Sequence, residues 1–190
     1  MSIFLADPNP WSDPDNMTIP ATKSEVLSAL HNWSPSIRKL VDLFPDQLTK
    51  WGIFDMADHP ASTYASGCVC VAGDAAHASS PFHGAGACMG VEDALVLATA
   101  LEWALSRVNH GDCGKAAAVE AAFERYNQVR QERSQWLARS SRDMGDIYMW
   151  NFPDTGRDAA KIKGEFERRS RKLWDFDVDK MVGDAGMLSQ

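Results

Sequence analysis

Apolar positions recur at intervals of three and four over one long stretch of the chain. Val91, Ala94, Leu95, Ala98, Leu101, Ala104 or Leu105, and Val108 share one face of a helix predicted from about Gly90 to Val108. Its apolar content suits a position inside the fold. A loop of Asn109, His110, Gly111, Asp112 and Gly114 follows, and a longer helix is predicted from Lys115 towards Met149. Its inward stripe reads Val119, Phe123, Tyr126, Arg130, Arg133, Leu137, Ser141, Met144 and Tyr148. A buried guanidinium needs a carboxylate or several carbonyls to offset its desolvation, so Arg130 and Arg133 call for acidic or carbonyl partners on a neighbouring element.

Upstream, Thr22 and Glu25 form a capping-box pattern opening a short helix through Leu30. Ser34-Pro35 places a cap and a first-turn proline ahead of Ile37, Leu40, Val41 and Phe44. Trp51 to Met56 has strand-like content, and Cys68 to Ala72 reads as a buried strand ending at Gly73-Asp74. Residues 1–21, with Pro8, Pro10, Pro14 and Pro20, form an expected extended arm; a weak helix around Lys161 to Trp174 and a tail containing Gly183 and Gly186 complete the chain.

Composition narrows the function. The 190 residues, 45% of them hydrophobic, suffice for a core, and the net charge of −7 with dispersed Lys and Arg leaves no footprint for nucleic acid or an anionic membrane. The densest basic cluster, Arg168, Arg169, Arg171 and Lys172, is interleaved with acids and reads as a solvated helix face. Four cysteines without CxxC spacing, and a start without signal-peptide character, favour a cytoplasmic location. Cys68 and Cys70 read as core filler and no metal site is expected. Trp103, Trp136 and Trp150 are expected to pack. The expected partner is a small molecule.

The chemistry concentrates between Gly67 and Ala94. A strand delivers Asp74 at its C-terminal end, Pro81 turns the loop, and Gly84 and Gly86 leave backbone N–H groups free at the start of an apolar helix. Such a helix start offers unpaired donors and partial positive charge to an anion or a polarised carbonyl. His77 reads as a hydrogen-bonded strand-end residue, and His83 as either loop scaffolding or a ligand contact. Ser79-Ser80 near His77 and Asp74 holds the letters of a triad without a nucleophile elbow.

Gly73-Asp74-Ala75-Ala76-His77, Pro81, Gly84-Ala85-Gly86 and Glu92-Asp93-Ala94 resemble, position by position, the GD motif of the FAD-dependent aromatic hydroxylases of the salicylate-hydroxylase type. Tyr126, Arg130 and Arg133 match the family's Y-x3-R-x2-R. The resemblance implies an α/β fold by ancestry, predominantly helical here, corresponding to the C-terminal half of the flavin-hydroxylase fold. Residues 22–66 would then be a remnant of the substrate domain, 67–150 the GD-motif strand, loop and two long helices, and 151–190 a C-terminal helix and tail.

The resemblance further implies that Gly73, Asp74, Pro81, Gly84, Ala85 and Gly86 bind FAD: Asp74 on the ribityl and pyrophosphate side, Pro81 near the isoalloxazine and the 84–86 amides at its pyrimidine end. NAD(P)H would be co-substrate only where a complete flavin site is assembled. Two departures stand out. Cys68 replaces the family's usual Arg after Gly67, and no strand followed by GxGxxG and a distal acid, the ADP-binding fingerprint, occurs. FAD binding by this chain alone is therefore expected to be weak or absent, with a homodimer or a second chain completing the fold. The alternatives are a cofactor-free cyclase, isomerase or dehydratase for a phenolic or polyketide-like molecule, with Asp74, His77 and His83 as acid–base groups, and a non-catalytic interaction module.

Overall fold

The computed structural model describes residues 3–5, 9–13 and 15–187, so Pro8 and Pro14 of the expected arm lie outside the described residues. The chain divides into two compact units, residues 1–53 and 54–190.

In the first unit, β1 (Thr18–Thr22) pairs antiparallel with β2 (Gln47–Trp51), with Thr18 opposite Trp51 and Thr22 opposite Gln47. Between them lie α1 (Lys23–Ala29) and α2 (Pro35–Val41). The capping box forms as expected: the Glu25 amide donates to Thr22 Oγ1 at 3.4 Å and the Thr22 amide to Glu25 Oε2 at 3.0 Å. Pro20 is compatible with β1 because of its register. The bonds Gly52 N–H to Met17 O and Lys23 N–H to Asp46 O mark odd-numbered positions as the bonded ones, so Pro20 loses no ladder bond. This corrects two expectations. The arm ends in a strand, and the strand expected at Trp51 to Met56 instead stops at Trp51, where its partner β1 ends.

In the second unit, β3 (Ala65–Ser66) and β4 (Val69–Cys70) form a minimal hairpin whose turn is allowed by Gly67 at φ +56°. The buried strand expected at Cys68 to Ala72 is thus short and open: Val69 is 68% exposed and Cys68 is exposed. Two residues of pairing cover one edge only, which leaves the β-branched side chains without a second layer. α3 (Asp74–His77) is a single turn, and Pro81–His83 form a 3-10 turn. Three long helices follow: α4 (Gly86–Asn109), α5 (Lys115–Tyr148) and α6 (Ala159–Trp174). The last element, α7 (Val178–Met187), replaces the expected tail. Its glycines lower intrinsic helicity, but Met181 and Ala185, four apart, are buried in the core with Val96 and Tyr126.

α4 and α5 pack against each other as the periodicity predicts, but α4 is rotated from the expected face. Its buried positions are Met89, Asp93, Val96, Ala100 and Ala104, while Val91 is 70% and Leu105 60% exposed. Two causes explain the rotation. Ala100, Ala104, Ala118 and Ala122 let the helix backbones approach closely, and Asp93 must face Arg130. The α5 stripe follows the expected phase through Tyr126, Arg130, Leu137, Ser141 and Met144; Tyr148 departs from it, being 53% exposed.

The paired acids required by Arg130 and Arg133 are Glu92 and Asp93. Arg130 Nε donates to Asp93 Oδ1 at 2.8 Å, and its Nη1 donates to Glu92. Arg133 grips Glu92 through Nε and Nη2, each at 2.8 Å. Asp93 Oδ2 also accepts from the Gly73 amide at 2.9 Å and lies 2.6 Å from His77 Nε2. Burial pushes the Asp93 carboxyl up, but the hydrogen bonds from His77, Arg130 and Gly73 outweigh it and hold it below the usual range. Glu92 is likewise raised by burial and, more strongly, lowered by Arg133 and Arg130.

α5 also anchors the segment that precedes α4. Arg142 pairs with Asp55 and Asp58, Gln131 and Gln135 donate to the Ala61 carbonyl, and Asn127 Oδ1 accepts from the Tyr64 amide at 2.8 Å. Tyr126 OH donates to Val71 O, and Ser141 Oγ donates to Ser80 O at 2.5 Å. Phe82 closes on Gly145 so tightly that a Cβ there would sit 2.6 Å from the ring.

Arg130→Met should destabilise the protein by about 3–5 kcal/mol, since it leaves Asp93 buried without its arginine and Glu92 with Arg133 alone; urea unfolding followed by circular dichroism measures this. Both carboxyls are depressed in the fold, so the unfolded chain takes up protons first as pH falls. The stability they confer should be complete above about pH 5 and drain away through about pH 4 and below. Urea midpoints from pH 7 down to 3 should show this fall, and Arg130→Met should flatten it. Gly145→Ala should destabilise by about 1–3 kcal/mol through its clash with Phe82. Gly164→Ala, at an α6 site with no atom within 4 Å of the added Cβ, should stabilise by up to about 1 kcal/mol in the same assay.

Candidate active site

Gly73 takes φ +58°, a left-handed conformation that glycine adopts without steric cost, and this turns the chain from β4 into α3. The turn is held from behind by its amide bond to Asp93. Asp74 consequently stands exposed in the first turn of α3, its carboxylate without a hydrogen-bond partner among the described residues. His77, one turn later, is buried, and its Nε2 is committed to Asp93. That placement agrees with the strand-end scaffold reading of His77.

The loop from Ser80 to Gly86 is fastened on one side and open on the other. Ser141 Oγ donates to Ser80 O and accepts from the His83 amide at 3.2 Å, while His83 Nε2 lies 2.9 Å from Ser140 Oγ. Gly84 adopts φ +65°, and a Cβ built there meets nothing within 4 Å, so its outer face is free for a ligand to approach. Gly86 is tighter, with Ser79 Oγ 3.3 Å from its would-be Cβ. Ala85 is buried with Met89, Leu137 and Leu173, which seats the loop in the core. Pro81 is exposed.

α4 begins at Gly86 without a side-chain cap, and its first intrahelical bond runs from the Met89 amide to Ala85 O. The amides of Gly86, Ala87 and Cys88 have no partner among the described residues. A 24-residue helix therefore points unsatisfied donors and its positive dipole end past the open face of Gly84. The donor set suits a polarised carbonyl or an anionic oxygen, and the exposed Asp74 carboxylate suits hydroxyl groups. These are the groups of a flavin's pyrimidine ring and ribityl chain, so the residues present fit FAD.

No side-chain hydrogen bond joins Asp74, His77 and His83 to one another among the described residues. Ser80 Oγ is buried without a hydrogen-bond partner, and neither it nor Ser79 bonds a histidine. No group of three metal-ligating side chains occurs among the described residues, and none of their helices is long and apolar enough to cross a membrane. Cys70 packs partly against the core, whereas Cys68 lies exposed with its Sγ 3.6 Å from Ala116 O, so only one of the pair fills core. Trp103 and Trp136 pack partly as expected, but Trp150 is 56% exposed, carried outward by its own positive φ of 59°.

Sequence reading missed Arg169. Taken there as part of a solvated basic face, it is buried, with Nη1 donating to Ser140 Oγ at 2.8 Å, Nη2 3.0 Å from Asp143 and Nε 3.0 Å from Glu165. The overlooked signal was the inward stripe of α6, Ile162, Phe166, Arg169 and Leu173, at helical spacing. Ser140 escaped notice for a similar reason: it lies beside the predicted α5 stripe rather than on it.

Comparison with known proteins accords with this geometry. The model of the FAD binding domain family matches residues 11–141. An FAD-dependent monooxygenase of Aspergillus terreus is 57% identical over 187 residues, covering 96% of this chain and 41% of the relative. A salicylate hydroxylase of Sarocladium schorii is 44% identical, covering 94% of this chain and 39% of its own. A solved salicylate hydroxylase substrate complex superposes with a TM-score of 0.76 at 31% identity, covering 95% of this chain and 41% of that one. The chain thus spans about two-fifths of the length of the relatives it matches, and with its GD turn, glycine loop and uncapped helix it belongs to the FAD binding domain family of the FAD-dependent monooxygenases.

Proposed function

We propose that this chain supplies the ribityl and isoalloxazine side of the flavin site of an FAD-dependent monooxygenase acting on a phenolic or polyketide-like aromatic compound. The observation that carries the reading is the uncapped start of α4 behind an open, left-handed Gly84, fastened to α5 by Ser141 and Phe82. In this reading Asp74 binds the ribityl hydroxyls, the Gly84 to Gly86 backbone faces the pyrimidine end, and Pro81 lies beside the isoalloxazine. Bound flavin, reduced by NAD(P)H, supplies oxygen activation for hydroxylation of an aromatic ring.

The chain's own contribution is electrostatic. Backbone amides fixed by the fold favour negative charge on the pyrimidine ring without having to reorganise, as an oxyanion site favours an enolate. The ADP end of the cofactor would be held by contacts that this sequence does not encode in the usual fingerprint. The proposed division of labour predicts what the isolated chain recognises.

Riboflavin and FAD should bind with similar affinity, on the order of millimolar, because losing three or four polar contacts of about 1.5 kcal/mol each weakens a tight site by some three to four orders of magnitude. ADP should not compete. Flavin fluorescence titration tests this, with Asp74→Ala and Gly84→Val expected to abolish the residual binding while helicity is kept. FAD binding a hundredfold tighter than riboflavin, or no binding of either, would sink the assignment.

A further inference from the structure

The glycine loop carries one side chain whose protonation is set from the far side of α5. His83 is half-buried, and Nε2 is its engaged ring nitrogen, 2.9 Å from Ser140 Oγ. Ser140 itself is buried, and its oxygen accepts from Arg169 Nη1 at 2.8 Å. Arg169 has donors only, and it is oriented by Asp143 and Glu165 at 3.0 Å each.

This chain of contacts has a direction. The Ser140 oxygen is occupied by a cation's N–H, and no other acceptor for its hydroxyl proton occurs among the described residues. The proton is therefore donated to His83 Nε2, which must present a lone pair. A neutral imidazole that accepts at Nε2 carries its hydrogen on Nδ1. Among the described residues Nδ1 has no partner, and it is not among the enclosed, unsatisfied side-chain atoms, so it is accessible from outside the fold.

We propose that Arg169, acting through Ser140, is a positioning residue that locks His83 in its Nδ1–H tautomer, making the glycine loop a side-chain donor to a carbonyl or phenolate oxygen of the bound ligand. The ligand half of this inference rests on the flavin-site reading above; the tautomer half does not. The charges around the ring support it. Burial lowers the His83 pKa below its ordinary value and the Arg169 cation lowers it further, opposed by Asp143 and by the Ser140 backbone, so the neutral ring prevails at physiological pH. Trp136, with its ring centroid 6.2 Å away, adds no charge.

The relay also explains why a buried arginine sits on the inner stripe of α6. Its guanidinium fills the site towards which the Ser140 hydroxyl proton would otherwise turn, and a proton turned away would let His83 donate through Nε2. Since a histidine's free nitrogen is set by the bond the other makes, α6 decides what the loop offers its ligand.

Nitrogen-15 correlation spectra of the full chain with labelled histidine read the tautomer directly. At pH 7, His83 should show a protonated Nδ1 and a bare Nε2. Ser140→Thr, which keeps the hydroxyl, should preserve that pattern, and Ser140→Ala should lose it. Arg169→Gln should raise the His83 titration midpoint. A protonated Nε2 in the wild type, or an unchanged tautomer in Ser140→Ala with intact circular dichroism, would overturn the proposal; if Ser140→Ala does not fold, the wild-type spectrum and the Arg169→Gln midpoint decide it.

Riboflavin and resorcinol, added separately at millimolar concentration, distinguish the acceptor. A shift of Nδ1 with riboflavin assigns the hydrogen bond to the flavin, and a shift with resorcinol assigns it to a phenolic substrate. Perturbed Gly84 and Gly86 amides with an unmoved Nδ1 would refute the donor role alone. If riboflavin leaves even those amides unmoved, the flavin-site reading fails, and the tautomer result still stands or falls by itself.

Discussion

The Asp93 carboxylate is the point on which the second unit turns. It is buried, and a lone buried carboxylate is costly enough that its surroundings must be built to satisfy it. Three donors from three elements do so: Gly73 before α3, His77 at the end of α3, and Arg130 from α5. One ionised group thereby sets the rotation of α4, the docking of α5 and the backbone angle at the GD turn. Hydrophobic burial alone would not choose among these arrangements, because α4 carries apolar residues on every side. The ion cluster supplies the discrimination, at the cost of desolvating two acids and two arginines.

Much of this was legible in the sequence, because it depends on short-range rules. The two long helices, the caps at Thr22 and Ser34, and the demand of Arg130 and Arg133 for acids all followed from spacing and from the physics of buried charge. The motif around Gly73 and Gly84 was readable because it needs particular residue types at fixed intervals. What escaped was set by long-range packing. The inward face of α4 was misassigned because Asp93 counts as polar in any periodicity argument, whereas pairing makes it a core residue. α7 was missed because its glycines argue against a helix that tertiary contacts nevertheless stabilise, and β1 because its proline occupies a ladder position where it forfeits nothing.

Candidate chemistry divided along the same line. Gly73, Asp74 and Gly84 lie at turns whose inner side is pinned to a helix, at Asp93 for the first and at Ser141 for the second. His77 is buried and held by the acid that organises the core. The set of groups behind His83 could not be read from the sequence, since Ser140 and Arg169 lie 57 and 86 positions further along the chain and meet only when α5 and α6 pack. The basic cluster that contains Arg169 looks uniform in sequence, and only helical phase separates its one buried member from the solvated ones.

The anchoring of residues 55–83 to α5 makes that helix a ruler. The chain attaches first at Arg142, descends to Tyr126 and returns to Ser141, so the GD turn and the glycine loop are registered against one rod of 34 residues, about 51 Å long. Each added or deleted residue within a helix rotates everything beyond it by about 100° and shifts it by about 1.5 Å. A single insertion between Arg130 and Ser140 would therefore carry Ser140, Ser141 and Gly145 off the loop while leaving Tyr126 under Val71 and Arg130 on Asp93. Side chains along this span can vary within the limits of packing, but its length is fixed by the distance between two turns that touch it at separate points.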